Sequence, residues 1–229
     1  MALLAGGRNL ARRGRGGPVL HALFFVALAA IGVAVIVYLL LAPRWDEAQA
    51  PLDAPRLPIA VAGVVFNIAP AAIRVPLQRR AGPQERVDLA YAWPDLTPPE
   101  SHAAGSAARL FVTVEAAQSA LLPSERLKSI YPRYAEAVAP GPNGLAMLAF
   151  RDGTPYQGED LLYDPALPDR FMVRCNRSRD ELTMAMCLFE RPYAAAALTF
   201  RFPRDWLADW PAVLGGTERL IAGWQPAGR

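Results

Sequence analysis

The longest apolar stretch of the chain lies near its N-terminus, where Val19–Ala42 contains no Asp, Glu, Lys or Arg. A helix rises 1.5 Å per residue, so about 20 residues cross the hydrocarbon core of a bilayer. A lone segment can cross only as a helix, because a helix satisfies its backbone hydrogen bonds internally. The pattern therefore predicts a transmembrane helix over residues 19–42 that contacts the lipid bilayer.

The charges that flank this stretch predict its orientation. Four arginines (Arg8, Arg12, Arg13 and Arg15) precede it, and Arg44 and Trp45 follow it. By the positive-inside rule, residues 1–18 form a cytoplasmic tail of a bacterial inner-membrane protein. Residues 43–56 then form a linker, and residues 57–229 a periplasmic domain. The alternative is a signal peptide cleaved after Ala48-Gln49-Ala50, but the apolar run exceeds an ordinary signal core of 7–15 residues.

After the linker, the apolar residues fall into short β-branched or alternating runs, which are typical of strands. A loop is predicted over 152–169, and a short helix is predicted to begin with Ser124 as its N-cap. The predicted strands are Ile59–Phe66, Ile73–Leu77, Val87–Trp93, Leu110–Glu115, Gly144–Arg151, Phe171–Asn176, Leu182–Glu190 and Ala196–Phe202.

The C-terminal segment changes to helical spacing. Large apolar residues from Trp206 to Trp224 recur at intervals of three, four and seven, and Asp209 is a suitable N-cap. A face with Trp206, Trp210 and Trp224 packs on a sheet more often than it forms a partner groove. We therefore expect an α+β domain with a mostly antiparallel sheet, helices on one side, and a C-terminal amphipathic helix on the sheet.

The net charge of +3 belongs to the N-terminal tail. From Arg44 onward, the chain carries 20 Lys+Arg and 21 Asp+Glu, so the domain is close to neutral. A nucleic-acid-binding domain would carry its own basic patch. The charge distribution argues against nucleic acid as a partner.

Two cysteines, Cys175 and Cys187, fall in the predicted periplasmic domain, where an even number of cysteines favours a disulfide. A tight turn at residues 177–180 would prevent the pair from lying opposite each other. The alternatives are buried free thiols, or a Cu(I) site that adds Met172, Met184 and Met186 as soft ligands.

The acidic residues of the predicted loop are the other candidates for chemistry: Glu159, Asp160, Asp164 and Asp169. Paired carboxylates can hydrolyse glycosidic bonds, and such acids can also bind Ca²⁺, although this spacing matches no known calcium loop. A solvated acidic loop is the simpler interpretation. Outside the apolar run the one histidine is His102, and no zinc, phosphate-loop or dinucleotide motif is present, so no cofactor is predicted.

Three stretches are familiar in combination: FNIAPAAIRVPLQRR with VDLAYAWP, GTPYQGEDLLYDP, and FRFPRDWLADWP. They resemble a group of single-pass envelope proteins of proteobacteria, and the resemblance covers most of residues 57–229. It implies the topology given above and transfers no activity. The sequence as a whole favours a non-enzymatic module that binds or scaffolds an envelope protein, with an envelope hydrolase or a copper-handling assembly factor as alternatives.

Overall fold

A computed structural model describes residues 17–41, 50–100, 108–117, 121–177 and 184–225. The chain divides into two compact units, Met1–Glu47 and Ala48–Arg229. The first contains helix α1 (Gly17–Leu41), which confirms the predicted apolar helix. Its segment His21–Tyr38 has a mean hydropathy of 2.4, enough to cross a membrane by length and composition. Most of the predicted tail and linker, including Arg44, Trp45 and Ala48-Gln49, lies outside the described residues.

The second unit is built on two sheets and two helices. The small sheet has the order β2-β1-β3, with β1 antiparallel to β2 and parallel to β3. The large sheet is antiparallel throughout, in the order β4-β5-β11-β10-β9-β8-β7-β6. The elements are β1 (Leu57–Val61), β2 (Val64–Ile68), β3 (Gly82–Gln84), β4 (Arg86–Ala92), β5 (Arg109–Ala116), α2 (Pro123–Ser129), β6 (Ala139–Pro140), β7 (Ala146–Ala149), β8 (Glu159–Tyr163), β9 (Met172–Asn176), β10 (Met186–Tyr193), β11 (Ala196–Pro203) and α3 (Trp210–Trp224). The predicted α+β class with a large antiparallel sheet and a C-terminal helix is confirmed.

The large sheet buries side chains on both faces. One face packs with α3 and the small sheet in the main core, to which β9 contributes Val173 and Cys175. Met172 points to the opposite face because side chains alternate along a strand. It joins a second apolar cluster, against which Leu127 of α2 packs. The prediction that all helices lie on one side of the sheet is therefore wrong.

Two predicted strands near the start of the domain have a different structure. Ile59–Phe66 is a hairpin, because Ala62 and Gly63 have φ values of 50° and 79°. Positive φ at both positions is typical of the two-residue turn that joins antiparallel strands. Ile73–Leu77 makes one isolated bridge, from Ile73 to Leu89. A 3₁₀ turn over Pro70–Ala72 precedes this segment and a second over Pro76–Gln78 overlaps its end, where proline removes a backbone donor from the strand.

The loop prediction and the helix start are also corrected. Residues 152–169 contain the buried strand β8. Leu122, not Ser124, is the N-cap of α2, and Pro123 occupies the first helical position. Ser124 instead donates from its backbone N and its Oγ to Asp169, at 2.7 and 2.8 Å.

Helix α3 begins as predicted, since the Asp209 carboxylate accepts a hydrogen bond from the Ala212 N–H at 3.3 Å. The three tryptophans pack within the domain. Trp224 is buried and donates from Nε1 to the Tyr91 hydroxyl at 2.9 Å. Trp206 lies before the helix and stacks on Trp93, while Trp210 contacts the ring of Phe171.

The adjacent glycines of α3 offer a matched test of this packing. A Cβ at Gly216 would lie 2.8 Å from Cζ3 of Trp93, whereas a Cβ at Gly215 would meet only the Arg219 guanidinium at 3.5 Å. We expect Gly216→Ala to lower the free energy of unfolding by about 1–2 kcal/mol through overpacking. Gly215→Ala should raise it by up to about 1 kcal/mol through helix propensity. Urea unfolding of both variants tests this, and equal effects would contradict it.

Candidate functional site

The two cysteines form a disulfide across neighbouring strands. Cys175 of β9 and Cys187 of β10 are registered partners, and the structure bonds them. Both are fully buried. The two cysteines are 12 positions apart in the chain, so the connection between their strands is long enough for them to lie opposite each other. Residues 178–183 of this connection lie outside the described residues.

A buried carboxylate lies beside the disulfide. Asp160 of β8 is the registered partner of Cys175, and its side chain is 7% exposed. Its Oδ1 accepts from Nε of Arg177 at 2.8 Å, and its Oδ2 lies 2.6 Å from Nη2 of Arg204. Two arginines therefore neutralise one carboxylate, and we call these three residues the Asp160 triad.

The Asp160 triad ties together three parts of the large sheet. Arg177 directly follows β9, and Arg204 directly follows β11. The Nη2 of Arg177 also donates to the backbone oxygens of Phe150 and Glu159, at 3.0 and 3.2 Å. Through these contacts the Arg177 guanidinium links neighbouring segments at one end of the sheet. Its positive charge therefore stabilises the fold.

Glu159 lies on the opposite face of β8 from Asp160, because adjacent residues of a strand alternate. Its carboxylate accepts from Arg174 at 3.1 Å, and Arg174 also lies 3.7 Å from Glu190. Glu190 is bonded in turn by Arg126 of α2 at 2.8 Å. Desolvation by burial is the largest single effect on the pKa of Arg126 and lowers it, but the hydrogen bond with Glu190 and the nearby charges of Glu190, Tyr131 and Tyr156 together raise that pKa above its ordinary value. The result is an ion-pair ladder that joins α2 to the sheet.

The other two acids of the predicted loop have separate local partners. Asp164 accepts from the backbone N of Ala166 at 2.9 Å, and Asp169 holds Ser124 as described above. The four predicted acids thus do not converge on one point. Within the part of the chain that the structure describes, no group of three or more His, Cys, Asp or Glu side chains could hold a metal ion. His102 lies outside that part.

The sulfur atoms of the proposed copper site are distributed over two faces. Met172 and Met186 alternate with the cysteines and so lie on the face away from them. Met184 is exposed. In this oxidised form the cysteines offer no thiolate ligands, so the arrangement needed for Cu(I) is not formed.

The sequence predicted the acids and the cysteines but missed the arginines that hold them. Arg174, Arg177 and Arg179 flank the predicted turn at residues 177–180, a position typical of a solvated face, and Arg179 lies outside the described residues. Arg204 gave no signal, because it is 44 positions from Asp160 in the chain. Strand order alone brings the two residues together.

Comparison with known proteins gives a fold but no family. No protein-family model matches this chain. No curated protein matches it with a significant score.

Two solved structures are similar. Smlt3025, an immunity protein of the Stenotrophomonas maltophilia type IV secretion system, matches with a TM-score of 0.52 and 15% sequence identity over 73% of this chain and 92% of that chain. The iron-regulated outer membrane lipoprotein FrpD of Neisseria meningitidis matches with a TM-score of 0.38 and 9% identity over 76% of this chain and 99% of that chain. The first match supports the fold; the second is too distant to support an argument.

Removing the charge of Asp160 tests whether the triad stabilises the fold. Asp160→Asn leaves two arginines without their carboxylate, and loss of one partner from a buried ion pair is strongly destabilising. Because both arginines are partly exposed, at 38% and 26%, we expect a loss of about 2 kcal/mol or somewhat more in the free energy of unfolding. Chemical denaturation measures it.

Glu159→Gln is the matched control, one residue away on the same strand. Glu159 pairs with Arg174 at the surface of the second apolar cluster and is 29% exposed. Its replacement should change the free energy of unfolding by at most about 1 kcal/mol. A larger loss for Glu159→Gln than for Asp160→Asn would show that the triad is not the principal ionic contact of the sheet.

Proposed function

We propose that the chain is a membrane-anchored, periplasm-facing module that binds a protein partner in the bacterial envelope without catalysing a reaction. The observation that carries this proposal is that the two acids most suited to catalysis, Glu159 and Asp160, are already held in ion pairs with arginines. Asp160 is buried between two arginines, and Glu159 points to the other face of the sheet. These carboxylates act as structural ion pairs, so the clearest candidate for hydrolysis is already used by the fold.

Helix α1 supports the membrane anchor. In the described span His21–Tyr38 none of its residues is buried within the protein, as expected if lipid covers them. The arginine-rich tail supports a cytoplasmic N-terminus and a periplasmic domain. The resemblance to single-pass envelope proteins of proteobacteria supports the same topology.

The disulfide supports a location outside the cytoplasm. Disulfides form and persist in oxidising compartments such as the periplasm and are rare in the cytosol. Cys175 and Cys187 are both bonded, and the chain contains no other cysteine. The oxidised pair therefore supports an oxidising compartment such as the periplasm.

The fold supports binding as the activity. Smlt3025, whose fold is similar, is an immunity protein of a secretion system, and a protein-binding role is proposed for this chain by analogy with it. That role is proposed here for a partner of the envelope, and the low identity transfers the fold alone.

The redox state of the cysteines in cells tests the location. Cells are quenched in acid and denatured, and free thiols are then alkylated with a large maleimide reagent. We expect no mobility shift without prior reduction, and two additions after reduction. The variant Cys175→Ala is the control, because its remaining thiol at Cys187 should react without reduction. A wild-type pair that is alkylated without reduction would contradict the periplasmic location.

Crosslinking in intact cells tests the binding function. The tagged full chain is crosslinked mildly, purified in detergent and analysed by mass spectrometry. We expect one envelope protein at a constant ratio, and its binding should be reproduced with purified components. The control carries residues 1–56 fused to an unrelated soluble domain and should lose the partner. A monomer without an interactor, or release of sugars from peptidoglycan that Glu159→Gln abolishes, would overturn the proposal.

A further inference from the structure

A pocket of about 280 Å³ is bordered by the C-terminal half of α3 and by segments next to strands of both sheets. Arg56 lies just before β1, Ala69 just after β2, and Tyr91 in β4. Leu220 and Trp224 of α3 give the pocket an apolar wall. Ligand pockets of proteins measure about 300–1,000 Å³, so this one suits a small molecule or a single residue of a larger ligand.

The opposite wall of the pocket includes Leu96, which has a φ of 56°. Bulky residues rarely adopt a positive φ, and such strain persists only where the surrounding structure holds it, often at ligand sites. Here the Leu96 N–H donates to the Ala92 oxygen at 2.8 Å, and the leucine Cδ1 would lie 3.5 Å from a Cβ at Gly216. The leucine is therefore fixed between its own turn and α3, and this wall is preformed.

A buried hydroxyl at the pocket carries a proton that has no acceptor. Tyr91 is 4% exposed and lines the pocket. Its oxygen accepts from Nε1 of Trp224 at 2.9 Å, while its own O–H has no acceptor among the described residues. Desolvation by burial raises the pKa of Tyr91, so the group stays a neutral donor. A buried donor without an acceptor costs free energy, which a ligand oxygen in the pocket would recover.

Three charged side chains line the pocket, Arg56, Arg219 and Asp95, and together they leave one positive charge. Arg56 donates from Nη1 to the backbone oxygens of Asn67 and Gly223, at 3.3 and 2.7 Å, and these partners are uncharged. The bond to Gly223 also offsets the negative end of the α3 dipole. Among the described residues, none of the three side chains forms an ion pair within 4.0 Å. The pocket therefore favours a ligand with a single negative charge.

We propose that this pocket binds a carboxylate that is joined to a compact aliphatic group. The Tyr91 hydroxyl and the Arg219 guanidinium donate to the carboxylate, and charge-assisted hydrogen bonds of this kind are the strong ones. Leu96 and Leu220 contact the aliphatic group. Two sources share this chemistry, namely a free organic acid and the C-terminal residue of a protein chain. The site goes beyond the proposed function and does not depend on it.

Fluorine NMR of the full chain in detergent micelles tests the site. The chain is labelled with fluorotryptophan, and its five tryptophans give separate signals, of which Trp224 is assigned with Trp224→Phe. The Trp224 indole reports on the pocket because it donates to Tyr91. The first ligand is N-acetyl-leucine, and N-acetyl-leucinamide is its matched control, since it has the same side chain and no charge.

We expect N-acetyl-leucine to shift the Trp224 signal in a saturable manner, with a Kd on the order of 1 mM or below. The amide should cause no saturable shift. Arg219→Gln should weaken binding of the acid several-fold, and Asp95→Asn should strengthen it, because these changes remove an attractive and a repulsive charge. Arg201→Gln is the matched control, at an exposed arginine outside the pocket, and should leave the Kd unchanged.

Tyr91→Phe tests the buried donor. It keeps the ring and removes the hydroxyl, so binding of N-acetyl-leucine should weaken several-fold while N-acetyl-leucinamide still causes no shift. The dispersion of the other tryptophan signals checks that this variant is folded. Because Arg219 and Asp95 are exposed, their variants decide the question if Tyr91→Phe unfolds.

Two further ligands distinguish the sources. If 4-methylpentanoate binds as tightly as a tetrapeptide of three alanines and a C-terminal leucine, the site takes a free acid. If the tetrapeptide binds several-fold more tightly and loses this binding when its C-terminus is amidated, the site takes a chain terminus. Both results support a carboxylate site.

Equal binding of N-acetyl-leucine and its amide would overturn the proposal. So would a Kd that neither Arg219→Gln nor Asp95→Asn changes, or a Trp224 signal that no carboxylate shifts. Each of these results leaves the membrane anchor and the protein partner of the proposed function untouched.

Discussion

Alternation of side chains along a β-strand is the constraint on which the rest of this structure depends. It places Asp160 and Glu159, which are adjacent in sequence, on opposite faces of β8. Asp160 lies on the main-core face beside the disulfide and pairs with two arginines. Glu159 lies on the other face and pairs with Arg174 in the ion-pair ladder. Two carboxylates that sequence reasoning paired as a catalytic set are thus separated by the sheet itself.

The disulfide and the Asp160 triad are neighbours on one face of the sheet. Cys175 is registered with both Asp160 and Cys187, so the disulfide between β9 and β10 lies next to the ion pairs that join β8 to the ends of β9 and β11. Cross-strand contacts of this kind hold the order β11-β10-β9-β8. The chemistry that the sequence offered as reactive is used here to hold strands in register, which agrees with a module that binds a partner.

The small sheet has a different character. It contributes apolar side chains to the main core from one face, and its other face carries the exposed Val65.

Residue patterns were sufficient for the elements with a strong local signal. The apolar run gave α1, and β-branched runs gave β4, β5 and β11. Asp209 followed by Pro211 gave the start of α3, because capping and the fixed φ of proline are local effects. The cysteine pair favoured the disulfide, since two cysteines allow one pairing within the chain.

Tertiary structure alone decided which groups meet. The pattern of Ile59–Phe66 predicts one strand. Its folding into a hairpin depends on a positive φ at Ala62, a conformation that alanine rarely adopts. Glu159–Tyr163 reads as part of a loop, and pairing with β7 and β9 makes it a buried strand. Arg204 reaches Asp160 because strand order places distant segments side by side, and no local pattern of residues encodes that order. The sequence by itself thus determined the apolar helix and the class of fold and favoured the disulfide, whereas the fold assigned each charge its partner.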